Sequence, residues 1–266
     1  MTFSCVWAPS RGLTRRGDRI RASISVEKNL VLKSLTAASL NRVLQDMDEV
    51  EVPYGTVLYS TGEKIRYVYF PEHAMISIVA HTEEGQSAEV GLIGFEGLIG
   101  LDYLLGAENA FNDHVAKLAG KVLRLKAAAA KKEFRRGGDF HDLVTRFTRH
   151  YLLQISQTAL CNRLHSLEER LARWILMSDD RSTTDRIALT HELLSIMVGA
   201  TRASVTRMAI GLQKAGYFTY SRGSIRILDR KGLEDFTCEC YKTVLQACSL
   251  ENDSIVDKSS NLEDPV

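Results

Sequence analysis

The 266-residue chain has only four prolines, and none lies between Glu72 and Asp264. Proline breaks helix interiors, so that stretch is free to build long helices. Cysteine is scarce and odd in number: Cys5, Cys161, Cys238, Cys240 and Cys248. Five scattered thiols make no disulfide framework and fit a reducing compartment, so a cytoplasmic protein is expected. No run approaches the ~18 consecutive apolar residues of a membrane span. The Arg15-Arg16 pair is not followed by the apolar stretch of an export signal, and neither end reads as a lipidation motif, so no membrane association is expected. Neither charge sign dominates, with 34 Lys and Arg against 33 Asp and Glu, and 45% of residues are apolar. That balance excludes disorder throughout.

Charge is nevertheless unevenly distributed. Residues 1–25 hold five arginines against one aspartate, net +4, and residues 251–266 hold five acids against Lys258, net −4. Between these tails, residues 181–230 carry eight basic side chains against three acids, net +5. A basic block inside a neutral chain is a candidate polyanion surface.

Short alternating or β-branched runs fill the first half: Val50 to Pro53, Val57 to Tyr59, Arg66 to Phe70, Met75 to Ala80, Ala88 to Ile93, His114 to Leu118 and Lys121 to Leu125. Turn signals such as Thr61-Gly62 and Glu84-Gly85 separate them, as a small antiparallel barrel or sandwich requires. Leu30 to Met47 reads as one or two short helices ahead of the first strand. The glycines at 91, 94, 97 and 100 read as turns of the β part, because a phosphate-cradling loop needs a glycine doublet between strand and helix. From Phe140 to Asp179 the pattern is helical, with Val144, Phe147, Tyr151, Ile155, Thr158 and Cys161 spaced by threes and fours. Such a stripe must be covered, either by the next domain or by the same helix of a second subunit, and a homodimer is the preferred expectation.

The most informative stretch runs from Leu189 to Arg207. Thr190 can cap a short helix, Gly199 permits a left-handed turn, and Thr201 can cap a second helix. On that second helix Val205, Met208, Ala209 and Leu212 converge on one face, leaving Ala203, Thr206, Arg207, Ile210 and Lys214 on the other. An outward face that is small, basic and free of acid suits a DNA major groove. Tyr217 to Ser221, Arg222-Gly223 and Ser224 to Leu228 read as a hairpin whose tip, Arg222, is placed to touch phosphate.

Signals for catalysis are missing. No His-Glu-x-x-His or Cys/His ligand spacing, Gly-x-Ser-x-Gly elbow or phosphate-loop lysine is read, so no enzyme, metal or cofactor is expected. His150 and His165 read as ordinary helix histidines. Cys238, Cys240 and Cys248 offer three thiols near a helix end, and small buried or idle thiols outweigh a metal or redox couple there.

Four features in order resemble the Crp/Fnr family of bacterial transcription regulators, over about Leu30 to Tyr241. They are Tyr67-Val-Tyr-Phe-Pro-Glu72, Glu168-Glu-Arg-Leu-Ala-Arg-Trp174, the helix-turn-helix, and Arg222-Gly-Ser-Ile-Arg-Ile-Leu-Asp-Arg230. The resemblance implies an α+β fold. An N-terminal antiparallel β-roll of the cyclic-nucleotide-binding type would be followed by a long dimerisation helix and a C-terminal winged helix-turn-helix. The expected division is a disordered basic arm at 1–25, the roll at 26–140, the dimer helix and linker at 141–178, the DNA-binding domain at 179–250 and an acidic tail at 251–266.

The implied function is a homodimeric regulator reading a near-palindromic site on double-stranded DNA, with RNA polymerase as a further partner. DNA contacts are expected from Thr201, Arg202, Ala203, Ser204, Thr206, Arg207 and Arg222. Many family members carry Glu where this chain has Ala203, so its target should differ at the corresponding base. The places that hold cyclic AMP in some members look like Gly97-Leu98 and Phe111-Asn112. They lack the charges that would hold ribose and phosphate, so no tight cyclic AMP binding is expected: the pocket is either degenerate or open to an unidentified small-molecule effector. The alternative is a ligand- or partner-binding adapter whose winged helix contacts protein, which would show no sequence preference on DNA.

Overall fold

The computed structural model describes residues 24–182 and 184–247. Most of the expected basic arm, the acidic tail, Cys5 and Cys248 lie outside the described residues. The chain enters through α1 (Leu30–Lys33), capped by Asn29, and α2 (Ala37–Leu44), capped by Thr36. The next elements are β1 (Met47–Val52), β2 (Val57–Tyr59), β3 (Tyr67–Pro71), β4 (Met75–His81), β5 (Ser87–Ile93), α3 (Leu101–Leu104), β6 (Asp113–Leu118) and β7 (Gly120–Lys126). Then come α4 (Ala127–Arg136), α5 (Asp139–Leu164), α6 (Leu167–Asp179), β8 (Ile187–Ala188), α7 (His191–Val198), α8 (Arg202–Lys214), β9 (Phe218–Ser221), β10 (Ser224–Ile227) and α9 (Arg230–Phe236). Residues 239–247 are again helical.

The first seven strands form two antiparallel sheets, ordered β1-β7-β3 and β2-β6-β4-β5, which enclose one apolar core including Val68, Phe70, Ile76, Leu98, Ala116 and Leu123. This is the α+β roll, helix and winged-helix architecture expected from the sequence. Glu72, at the end of the Tyr67 to Glu72 motif, is fully buried and accepts the backbone N–H groups of Glu27, Lys28 and Asn29 on one carboxylate oxygen. It ties the incoming chain to the tip of β3, in front of α1. Among the described residues no single helix is long and apolar enough to cross a membrane.

Two sequence expectations are corrected and a third is refined. Met47 opens β1 instead of closing a helix, and its side chain is buried among those of the roll. The helical stretch from Phe140 to Asp179, too long for one globular helix, divides at a boundary the sequence did not mark. His165 ends α5 in an extended conformation, and Ser166 starts α6 with a capping box to Glu169. The glycines at 91, 94 and 97 are not simply turns. A β carbon on Gly97 would stand 2.0 Å from the Phe147 ring, and one on Gly91 2.6 Å from Tyr151, so these positions allow α5 to lie directly on the roll. Gly100 does adopt a left-handed conformation, φ 93°, and caps α3.

Helix α5 is fastened to the sheet by hydrogen bonds as well as by close packing. Gln154 accepts the Leu92 N–H at 2.7 Å and donates to the Leu92 carbonyl at 3.1 Å, filling part of the free edge of β5. The apolar stripe read from the sequence is thus covered by this chain itself, with Val144 and Phe147 in the core of the roll and Cys161 buried beside Cys238. What remains uncovered on α5 is a second face bearing Leu152, Leu160 and Leu164, which are 57%, 39% and 68% exposed.

The C-terminal part has its own core, built from Leu171, Trp174, Ile175, Leu194, Val205, Leu212 and Phe218 among others, and Met75 and Leu92 of the roll join it. Each such apolar side chain contributes about 1.5 to 3 kcal/mol when fully buried. Arg230 closes this part by binding Asp179, Asp180 and Glu234, and donates to the Tyr241 hydroxyl at 2.9 Å.

Candidate nucleic-acid interface

The two central helices of the C-terminal part are punctuated by their own side chains. Thr190 accepts the Leu193 N–H at 3.1 Å and Thr201 accepts the Ser204 N–H at 3.2 Å, so each threonine satisfies a donor that the first turn leaves free. Between them Gly199 sits at φ 61°, ψ 45°, a left-handed conformation that side chains resist. The helices α7 and α8 cross at 103°, within the range of DNA-reading helix pairs.

Packing decides which face of α8 is offered outward. Val205, Ala209 and Leu212 are buried against α6 and α7, whereas Arg202, Ala203, Arg207, Ile210 and Lys214 are exposed. The first turn of α8 holds no acid. Among the described residues, Arg202, Arg207, Lys214 and Arg222 have no carboxylate within ion-pair distance.

The predicted contact residues are not equivalent in the structure. Thr201 spends its hydroxyl on the helix cap and on Ser204. Ser204 in turn lies 3.4 Å from an Arg207 amino group, on the helix turn that precedes it. Thr206 departs from the outward position expected. It is partly buried, and its hydroxyl donates to the Arg202 carbonyl and meets His191 Nδ1 at 2.9 Å. Ala203 presents a bare methyl, and Arg202 flanks it.

His191 was not singled out by the sequence, yet it joins three elements. It opens α7, hydrogen-bonds Thr206 on α8, and stacks on Tyr220 of β9 with ring centroids 4.3 Å apart. Burial, followed by the nearby Arg202 charge, holds its pKa below the ordinary histidine range. The ring links α8 to the hairpin. A pattern of one histidine, one threonine and one tyrosine spread over thirty residues leaves no periodic signal.

The hairpin is a three-stranded unit ordered β8-β10-β9, the short β8 being unforeseen. Its tip is a two-residue turn with Arg222 at φ 50° and Gly223 at φ 78°, the doubly left-handed geometry of tight hairpins. Asparagine or glycine is the usual occupant of the first position. Arginine there adopts a conformation that costs roughly 1 to 2 kcal/mol, and its side chain stands exposed at the extremity of the wing.

The residues expected to outline an effector pocket are placed differently from one another. Gly97 lies under Phe147, its carbonyl receives the Asn29 side chain at 2.8 Å, and Leu98 is fully buried. Phe111 is 67% exposed, and its backbone N–H reaches Asp102 at 3.2 Å. Asn112 is partly exposed. Glu96, the acid beside Gly97, is turned away to Arg181.

The thiols are also regrouped. Cys161 and His165, four residues apart at the end of α5, meet Cys238 and Cys240, all four ligand atoms lying within 4.8 Å of one another. The absence of a Cys/His ligand spacing expected from the sequence is corrected here: one helical turn carries such a spacing, and folding supplies its other half from 77 residues away.

Residues 169–236 match the Crp-like helix-turn-helix domain family. No curated protein matches the chain in sequence. Among solved structures, FixK2 from Bradyrhizobium japonicum superposes with a TM-score of 0.63 at 17% identity, over 72% of this chain and 98% of that one. A putative regulator of the Crp/Fnr family from Eubacterium rectale gives 0.61 at 18% identity over 77% and 96%. The CRP-family regulator TTHB099 from Thermus thermophilus gives 0.60 at 17% identity over 70% and 94%. At these identities the likeness is one of fold.

Proposed function

We propose that this Crp/Fnr-type transcriptional regulator, a DNA-binding protein and not an enzyme, reads a near-palindromic duplex as a homodimer. The observation that carries the reading is the outward face of α8, where Arg202 and Arg207 stand exposed, without acid partners among the described residues, on a helix fixed at 103° to its neighbour. In a major groove such arginines make bidentate contacts to guanine, and the Ala203 methyl suits thymine. Thr201 and Ser204 serve the site by capping α8 and steadying Arg207. Thr206 orders the helix through His191, and Arg222 reaches phosphate from the wing.

The exposed face of α5 supports a second copy paired along that helix. Leu152, Leu160 and Leu164 project within one sector of the helix, and pairing two such faces side by side would remove them from water. A dimer built on α5 sets two recognition helices about 34 Å apart, one helical turn of DNA. In this reading residues 26–140 form a roll that receives the signal, 141–178 the dimer helix and linker, and 179–250 the DNA-binding domain. The roll senses something other than cyclic AMP, since Glu96 is held by Arg181 and Gly97 by Asn29. The complex works in the cytoplasm and presents RNA polymerase with bound promoter DNA.

Selection from a pool of random duplexes tests this. The expected result is an enriched two-fold related motif with half-sites about one helical turn apart and a steep loss of affinity with salt. Recovery of unselected sequence would leave the adapter reading in its place.

A further inference from the structure

Outside the DNA-reading surface, one cluster of side chains has no part in the function just proposed. Cys161 and His165 sit on one face of the last turn of α5. Cys238 stands just before the helical segment at 239–247 and Cys240 lies in its first turn. Cys161 Sγ and Cys238 Sγ are 3.5 Å apart, as are Cys240 Sγ and His165 Nδ1. A tetrahedral ion with metal–sulfur bonds of about 2.3 Å spaces its sulfur ligands by about 3.8 Å, so the four atoms are already gathered at nearly the edge length of one coordination sphere. The thiols are buried as a small cluster apart from both apolar cores.

Two further observations point to an ion. His165 directs Nδ1 toward the thiols, while its Nε2 lies 3.4 Å from the Glu239 carboxylate. Metal-bound histidines are oriented by such a carboxylate on the far nitrogen. The second observation is Arg173. Its side chain is 0% exposed, and it donates to the Thr158 hydroxyl at 3.2 Å. Among the described residues no carboxylate lies within ion-pair distance of it, yet it lies within electrostatic reach of Cys161 and Cys240. A buried guanidinium without a counter-charge is costly. Three thiolates and a neutral imidazole around a divalent ion carry one net negative charge, which is the counter-charge Arg173 lacks.

We infer that Cys161, His165, Cys238 and Cys240 bind one zinc ion, with Glu239 and Arg173 supporting the site from behind. Soft thiolates with one imidazole in a closed tetrahedron select zinc over calcium, magnesium or manganese. An iron–sulfur cluster would bind its thiolates to separate irons and hold them farther apart. The ligands flank the matched helix-turn-helix residues 169–236 on both sides. The ion would therefore fasten the end of the long helix, where His165 closes α5, to the segment leaving the winged domain.

The test uses the full chain and the metal alone. Purified protein should carry one zinc per chain. After chelation and reloading, cobalt should show the visible bands of a tetrahedral site and a thiolate-to-metal charge-transfer band. Cys161→Ser and Cys240→Ser should each lower bound zinc at least tenfold, while Cys5→Ser and Cys248→Ser leave it unchanged. His165→Cys keeps four ligands, so it should retain the metal and strengthen the charge-transfer band, a readout that holds even where a serine variant fails to fold. Failure of the reduced native chain to take up cobalt would overturn the site. So would full zinc retention in Cys161→Ser, or a Cys161–Cys238 disulfide in place of metal.

Discussion

Arg181 and Glu96 form a buried ion pair, 2.7 Å between charged atoms, that joins the loop after β5 to the segment between α6 and β8. Their side chains are 8% and 7% exposed, and Glu96 also accepts the Gly94 N–H while Arg181 donates to the Met177 carbonyl. Removing one member leaves the other charged and out of water, which typically costs about 3 to 5 kcal/mol. Glu96→Gln and Arg181→Met should each lower the urea midpoint accordingly. The double variant should be more stable than the sum of the two losses predicts. Additive losses would show that the two charges are not coupled.

Two of the exposed arginines of the proposed interface, Arg207 and Arg222, should fail differently. Arg207→Ala should weaken binding to the selected site by about 1 to 3 kcal/mol and blur discrimination at one base position. Arg222→Gly should weaken all duplexes alike and reduce the salt slope by about 1. Because the tip is left-handed at residue 222, the glycine should leave thermal stability equal or slightly raised. Binding isotherms on specific and scrambled duplexes, set beside melting curves, separate the two roles.

Leu152→Glu and Leu164→Glu alter exposed positions on α5, so the folded protomer should keep its stability within about 0.5 kcal/mol. Sedimentation should nonetheless show a shift to monomer, with loss of cooperative binding to the full site and weak residual binding to a half-site. An unchanged dimer would move the interface elsewhere.

Two buried groups in the roll make opposite demands on pH. Burial pushes the Glu89 carboxyl up to about 7 and the His114 imidazole down to about 4. The Glu89 contribution is fully present below pH 4.5 and is lost as pH rises through 7. That of His114 is present above pH 6.5 and is lost as pH falls through 4. Each amounts to roughly 3 kcal/mol over its window, and between pH 4.5 and 6.5 they oppose each other. Glu89→Gln should therefore expose a fall in stability on acidification that the native chain partly conceals. Urea midpoints at pH 7.5, 6 and 5 measure it, and parallel profiles for the two proteins would refute it.

The parts of this fold that were legible in the sequence are those governed by local chemistry. Thr190, Gly199 and Thr201 announce the helix boundaries because each solves a problem within four residues of itself. The strands between Met47 and Lys126 show through turn residues and β-branched runs. Helix α4 passed unnoticed, since four alanines followed by lysines give no contrast between faces. The covering of Phe147 by Gly97 was equally hidden, because a missing β carbon looks the same whether it permits a turn or an approach. For the candidate site, the exposed arginines followed from helical periodicity. Thr206 did not, because its hydroxyl is claimed by His191 from another helix. The Cys161, His165, Cys238 and Cys240 grouping lay beyond local reasoning for the same reason: two halves of a coordination sphere are joined only by tertiary packing.

The double hydrogen bond from Gln154 to Leu92 has a consequence for how copies of the protein associate. An unprotected outer strand invites a neighbouring molecule to extend the sheet, the first step toward uncontrolled polymerisation. Here the Gln154 amide takes both backbone groups of Leu92, so a neighbouring strand that approached β5 at that residue would find them already occupied.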